Sequence, residues 1–419
     1  MSQEAGIPAH SFEERECLLN ERLRKTVQHA YANAPAVKGL FESVGVAPGQ
    51  IQTTKDLEKI PITQKEDLVK LQRENPPFGG FLATSLQNLN RICVSPGPIY
   101  DPIVGMDFCS SLVQALTLAG FRKGDIVINT VAYHMVPAGT GADDALIKLG
   151  AAVIPAGTGN TELQVQIMYD LKVTGYIGMP SFLMNVIKMA ESQGYDFRND
   201  FELRCALFGG EMLPPSLRRT FEDDYGINTS QFYGTAEGIC AYECGQKEGM
   251  HFDDDLIVEI ADPDTGKQLG PGEVGQIVLT FLHEAFSMIR LGTGDLSYYT
   301  DEPCPCGMPS PRLVRIMGRI GEATKVRGMF LHAGQIGEAV AKFPELSRFQ
   351  VLINRVGVRD EMHVKVELVG EGVSEENLQN NLAEAIKSIC RLKADKVELV
   401  SPGTIPENAQ RMVDQRTWE

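Results

Sequence analysis

The sequence predicts an α/β fold of layered sheets and helices, with a small antiparallel subdomain and a compact α+β C-terminal domain. Three observations predict it. From about Arg91 onward, short β-branched runs alternate with helix-like segments, the pattern of layered α/β architecture. Between Leu256 and Leu282 two strand-like runs flank turn-rich peptide instead of a helix. Beyond Gly318-Arg319 a half-buried strand and an amphipathic helix begin a separate unit, so the expected domains are residues 1–318 and 319–419.

The elements follow in order. Glu14 to Asn33 reads as an amphipathic helix, with Leu18, Leu19, Leu23, Val27 and Ala30 at helical spacing. Pro61 to Leu71 reads as a second helix capped by Thr63. Arg91 to Val94, Asp125 to Asn129, Ala152 to Pro155 and Gly175 to Gly178 are strands, and Thr140 to Leu149 and Ser181 to Ser192 are helices between them. In the antiparallel part Val258 to Ala261 and Gln276 to Thr280 are strands, separated by Asp262-Pro263-Asp264-Thr265-Gly266 and Gly270-Pro271-Gly272. In the C-terminal unit Met362 to Leu368 alternates as a strand. Ser374 can cap a helix with Leu378, Leu382, Ile386, Ile389 and Leu392 on one face, and Val397 to Val400 closes the unit.

Composition excludes several classes. The formal net charge of −16 makes the chain a poor ligand for nucleic acid and argues against an anionic membrane surface. No apolar run reaches the roughly 18 residues needed to span a bilayer. The polar, acidic stretch Met1 to Glu16 lacks a signal-peptide pattern, so the expected location is the cytoplasm. The nine cysteines are scattered, as reduced core residues are, except for the pair Cys304 and Cys306.

Several short motifs offer chemistry, each open to a plain structural reading. In Phe232-Tyr233-Gly234-Thr235-Ala236-Glu237 an aromatic can stack on a base and Glu237 can reach Mg²⁺; an ordinary strand-to-helix turn explains it too. Thr293-Gly294-Asp295 offers a carboxylate to ribose hydroxyls, or is a turn. Phe208-Gly209-Gly210-Glu211 lets a ligand lie on bare backbone. Gly318-Arg319 and Lys325-Val326-Arg327-Gly328 can meet ligand phosphates, or form a solvated hairpin.

Taken together and in this order, these motifs resemble the adenylate-forming superfamily of acyl-CoA ligases, and more closely the phenylacetate–CoA ligase family. The resemblance also covers Glu21 to Val27, Ala30-Tyr31-Ala32-Asn33, Met179-Pro180-Ser181 and Cys304-Pro305-Cys306-Gly307, nearly the whole chain. It implies a large adenylate-forming domain and a small C-terminal domain that rotates between two half-reactions. In the first a carboxylate attacks ATP to give an acyl-adenylate and pyrophosphate; in the second CoA displaces AMP. It places Gly209, Gly210 and Glu211 near adenine with Tyr233 beside it. Glu237 becomes the metal carboxylate, Asp295 the ribose anchor, and Arg319 a hinge residue. Arg327 and Gly328 lie near the CoA channel, and Val131 to His134 with Gly139 to Gly141 line an aryl pocket, so Tyr133, His134, Gly139 and Gly141 are its candidate residues. The implied ligands are AMP or ATP with Mg²⁺, CoA or acyl-CoA, and an aryl or acyl carboxylate or its thioester.

Cys304 and Cys306, with Cys244 and His251, can supply a Cys₃His tetrahedron for structural Zn²⁺, as in metal-binding members of the family; the plainer reading is two buried thiols and an unrelated surface histidine. Homodimerisation or a partner subunit stays open.

The chain departs from its family where ATP is handled. The family loop Ser-Ser-Gly-Thr-Thr-Gly-Lys-Pro aligns with Ser95-Pro96-Gly97-Pro98-Ile99-Tyr100-Asp101-Pro102. Three prolines remove N–H donors and Asp101 adds negative charge. Ala236 stands where a hydroxyl is usual, Gly321 where a hinge aspartate is, and no lysine follows Lys396, with Arg411 a poor substitute. The expectation is therefore a ligase-like protein whose adenylation is in question. The alternative is a relative that binds or processes an acyl-CoA or AMP-like ligand without ATP, as a subunit of a larger enzyme.

Overall fold

The computed structural model describes residues 11–104, 110–320, 323–327, 329–370, 375–407 and 409–416. Ser374, Gly321 and Gly328 lie outside the described residues. The chain divides into two compact units, Met1–Met317 and Gly318–Glu419.

A mixed twelve-stranded sheet frames the first unit. Five of its strands, Ala152–Pro155, Ile126–Asn129, Gly175–Gly178, Cys205–Phe208 and Asn228–Thr235, lie parallel in that order. Gly175–Gly178 and Cys205–Phe208 are buried at every position, as expected of parallel strands covered on both faces. The helices Pro137–Leu149, Thr161–Asp170 and Pro180–Ser192 connect them. At Asn228–Thr235 the sheet changes direction. Gly238–Glu243 returns antiparallel, followed outward by Met250–Phe252, Arg312–Arg319, Leu291–Thr300, Gly275–Phe281 and Leu256–Ala261. The antiparallel strands foreseen near 256–282 thus form the far edge of one continuous sheet.

The first helix runs Phe12–Asn33, with Ser11 and Glu14 forming a reciprocal capping box. It buries Leu19, Leu23, Val27 and Ala30 but leaves Leu18 40% exposed, because Leu18 lies off the buried stripe. The second expected helix differs more. Thr63–Gln64 is a short strand, parallel to Leu291 and Gly292, and helix begins only at Leu68. Thr63 does not cap; its N–H donates to the Arg290 carbonyl at 2.9 Å. A tertiary pairing has overridden a local capping signal.

Arg290 is the largest fully buried side chain among the described residues, 1% exposed. Its Nη1 donates to the Ile60 carbonyl at 2.8 Å, and its Nη2 donates to the Gly266 carbonyl at 2.7 Å and pairs with Glu259 at 2.9 Å. One guanidinium therefore ties the strap around residues 60–64 to the strand Leu256–Ala261 and the turn that follows it.

In the second unit a sheet runs Lys396–Val400, Arg359–Leu368, Leu346–Val356, Met412–Asp414. The helices Ala333–Val340 and Glu375–Cys390 pack on it, with Ile336, Leu382, Ile386, Val351 and Val364 in the core. Leu392 is buried as expected but lies beyond the helix end.

Arg290→Ala strands a buried Glu259 charge, so stability should fall by about 3–5 kcal/mol in urea unfolding. Adding Glu259→Met should recover most of that loss. A single-variant loss under about 1 kcal/mol would sink this account.

Candidate functional site

The parallel half of the sheet ends at the turn following Thr235, the position where such folds usually bind ligands. Glu237 sits in this turn with its side chain 2% exposed and accepts from Lys65 Nζ at 2.7 Å. Lys65 arrives through the Thr63–Gln64 pairing. Burial opposes the Glu237 charge, but Lys65 together with hydrogen bonds from Thr235 and the backbone outweighs it, so the carboxyl is held below its ordinary range.

The stretch Ser95–Pro102 is a β-hairpin rather than an open loop. Arg91–Ser95 pairs with Ile99–Ile103, with Cys93 opposite Asp101 and Ser95 opposite Ile99. Those four side chains are buried, while Ile92 and Tyr100 point outward. Gln72 clamps the hairpin, donating to the Tyr100 carbonyl at 2.9 Å and accepting from the Tyr100 N–H at 2.8 Å. Asp101 is only 2% exposed, and burial first, then the Glu237 charge, pushes its carboxyl up to about 7. A triphosphate does not fit this stretch. Three positions lack an N–H, the Tyr100 N–H is taken, and the inward face presents a carboxyl beside Glu237.

The residues expected at the nucleoside are arranged differently. Gly209 faces the Phe232 ring so closely that a Cβ there would lie 2.4 Å from it, and Gly210 has φ +82°. Tyr233 Oη donates to Asp295 Oδ2 at 2.7 Å, while Asp295 N–H reaches Thr293 Oγ at 3.1 Å. Burial, then Asp295, raises the Tyr233 hydroxyl well above its usual range, keeping it a donor. The predicted stacking tyrosine and ribose anchor are thus joined directly. Glu211 follows in the same loop and acts electrostatically on Tyr176.

A cavity of about 760 Å³ opens beside the turn, lined among others by Asp101, Glu237, His29, His283, Phe281 and Phe286. The segment expected at an aryl pocket does not border it. Tyr133 instead donates to Asp143 at 2.6 Å, and Asn129 donates to the Gly139 carbonyl and to Asp143. Gly139 is needed for packing, since a Cβ would meet the Ala132 carbonyl at 2.8 Å. Gly141 is buried in the same helix, and His134 is exposed.

Cys244, His251, Cys304 and Cys306 converge, with one ligand atom from each lying within 4.8 Å of all the others. Cys244 Sγ is 3.7 Å from Cys304 Sγ, and Cys306 Sγ is 3.3 Å from His251 Nε2. For Zn–S bonds of about 2.3 Å a tetrahedral edge is roughly 3.8 Å, so the cluster fits zinc. His251 is fully buried, not a surface residue, and Ser310 Oγ holds its Nδ1 at 2.9 Å.

The comparisons with known proteins agree in kind. The AMP-binding enzyme family matches residues 108–280, and the AMP-binding enzyme C-terminal domain matches residues 328–416. A phenylacetate-coenzyme A ligase of Aromatoleum evansii is 32% identical over 437 residues, spanning 99% of this chain and 97% of its own length. The chain belongs to the phenylacetate–CoA ligase family. Another member, from Escherichia coli (strain K12), is 31% identical over 98% of the chain and 97% of its own length. Among solved structures, a 2-hydroxyisobutyryl-CoA ligase in complex with its acyl-AMP and CoA superposes with a TM-score of 0.89 at 26% identity, covering 96% of this chain and 90% of that one.

Against this family frame, Lys65 is the residue that sequence reasoning missed. Its 172-residue separation from Glu237 left no local signal. Arg319 and Arg327 lie in the second unit, where Arg327 Nη2 pairs with Asp395 at 2.7 Å and donates to the Lys393 carbonyl. That guanidinium is engaged within its own unit.

Lys65→Met leaves Glu237 without its counter-charge. Stability should fall by about 2–4 kcal/mol, with most of it restored by adding Glu237→Gln. Additive losses in a double-mutant cycle would show that the pair is not coupled.

Proposed function

We propose that the protein acts on an aryl or acyl carboxylate and CoA as an acid–thiol ligase whose adenylation half-reaction is impaired. The observation that carries this is the contrast within one site. The nucleoside end keeps Tyr233 joined to Asp295, while the phosphate end presents Asp101 beside Glu237. The second half-reaction needs no triphosphate: CoA thiol attacks the acyl carbonyl of an acyl-adenylate, the thioester bond forms, and AMP leaves with the phosphate–acyl bond's electrons. Gly209 and Gly210 would admit the adenine against bare backbone, with Asp295 on the ribose. The C-terminal unit, carrying Arg319, Arg327 and Gly328, is expected to move between the halves.

A second reading is that the protein binds acyl-CoA or AMP without using ATP, as a subunit of a larger enzyme. The burial of Asp101 favours it.

Supplied acyl-adenylate and CoA should give thioester, whereas acid with Mg·ATP should release pyrophosphate at least about 100-fold more slowly. Comparable rates for both halves would refute impairment. Acyl-CoA or AMP binding by calorimetry, with neither half-reaction detectable across an acid panel, would leave the second reading standing.

We also propose that Cys244, His251, Cys304 and Cys306 hold a structural zinc ion joining neighbouring strands of the antiparallel half-sheet. Elemental analysis should find about one zinc per chain, and Cys306→Ser should lower both zinc content and unfolding midpoint. Metal-free protein of unchanged stability would count against the site.

A further inference from the structure

The phosphate end of the site has a charge and hydrogen-bond deficit of its own. Five oxygens there have no well-formed hydrogen bond among the described residues and are shielded from solvent: both Asp101 carboxylate oxygens, Glu237 Oε1, Ser95 Oγ and Thr235 Oγ1. Ser95 lies against Asp101, and Thr235 lies against Glu237. Ser95, Asp101 and Glu237 are each more than nine-tenths buried. The Ser95 and Thr235 hydroxyls favour the charged forms of Asp101 and Glu237, so the unmet demand falls on the carboxylates. Buried polar atoms without full pairing are rare and each costs about 1–3 kcal/mol, which points to a ligand between the two acids.

The chemistry of the five atoms identifies its class. All are oxygens, and the three on carboxylates act as acceptors when ionised. The charges acting on Asp101 are those of Glu237 and Lys65. Lys65 is committed to Glu237 Oε2 at 2.7 Å, so two carboxylates face one ammonium. Below about pH 7 a proton on Asp101 closes the deficit; above it one negative charge is left uncompensated in a buried setting, where an isolated charge is strongly disfavoured. An anion such as a phosphate worsens the deficit. A divalent ion overcompensates it. A single positive charge closes it, and hard oxygen donors suit an alkali-metal ion or an ammonium head group. The 760 Å³ cavity reaches both Asp101 and Glu237, which gives such a cation an entry path.

We propose that Ser95, Asp101, Thr235 and Glu237 form a binding site for one monovalent cation, an alkali-metal ion or the ammonium head of a ligand. Asp101 is its decisive residue, and the hairpin clamp by Gln72 is what holds Asp101 in place. The site works without nucleotide, so it differs from a metal ion carried in on a triphosphate.

The test uses the full chain, zinc-replete, without nucleotide, acid or CoA, so that its failure is separate from any failure of the ligase reading. Thermal unfolding is followed above pH 7, where Asp101 is ionised, in tetramethylammonium chloride, replaced at constant ionic strength by the chloride of K⁺, Na⁺, NH₄⁺ or methylammonium. At least one should raise the midpoint by about 2 °C or more, because a ligand of the folded state stabilises it by mass action. A response to K⁺ or Na⁺ identifies an alkali-metal site, and one confined to NH₄⁺ and methylammonium identifies an ammonium site. Asp101→Asn should abolish the shift and raise the midpoint in tetramethylammonium, since it removes the unpaired charge. Ser95→Ala should shrink the shift by about half or more, and it carries the test if Asp101→Asn does not fold. No specific shift, an equal shift in the variants, or stabilisation by Mg²⁺ alone would overturn the proposal.

Discussion

The ion pair between Lys65 and Glu237 is the contact on which the candidate site depends. It joins a strap from the N-terminal region to the turn where the sheet changes from parallel to antiparallel. Arg290 holds the same strap in place, through the Ile60 carbonyl and the backbone pairing of Thr63. A buried pair of this kind contributes little net stability, since desolvation offsets attraction. Its effect is on geometry: removing either partner leaves a buried charge, so the two elements stay in register.

That constraint also separates the two ends of the site. Tyr233 and Asp295 belong to two strands of the same sheet, Asn228–Thr235 and Leu291–Thr300, the second buttressed by Thr293 on the Ile277 carbonyl. Asp101 belongs to a hairpin outside that sheet, held by Gln72 from a short helix. Substitutions in the hairpin therefore need not disturb the nucleoside end. The physical division explains how Ser95–Pro102 can depart from the family loop while Gly209, Gly210, Tyr233 and Asp295 keep a coherent arrangement.

Legibility in the sequence follows the same line between local and distant causes. Ala152–Pro155 and Gly175–Gly178 were readable to the residue, because a short apolar run between turns has one good interpretation in an alternating chain. The convergence of Cys244, His251, Cys304 and Cys306 was readable because thiols in close spacing are uncommon. The hairpin was not. Three prolines argue for a loop, yet Pro102 is tolerated because the hairpin is only two strands wide, leaving edges where no N–H is required. Lys65 was hidden within an apparent helix, since its role comes from a backbone pairing more than 200 residues away in sequence. Asp101 was recognised as a charge, but only the fold shows that its partners are Glu237 and Lys65.

The burial of Asp101 decides how strongly its charge acts on its surroundings. An exposed aspartate near a phosphate would be screened by water and salt, and a polyanion could still bind with reduced affinity. At 2% exposure that screening is missing. The neighbouring hydroxyls of Ser95 and Thr235 cannot supply charge, and Lys65 is already committed to Glu237. A phosphate brought into this corner would have to draw Lys65 away from Glu237, or meet Asp101 in its protonated form below about pH 7. Drawing Lys65 away works against the contact that orders the site. Around Tyr233 and Asp295 no such conflict arises among the described residues, since the tyrosine hydroxyl donates to the carboxylate.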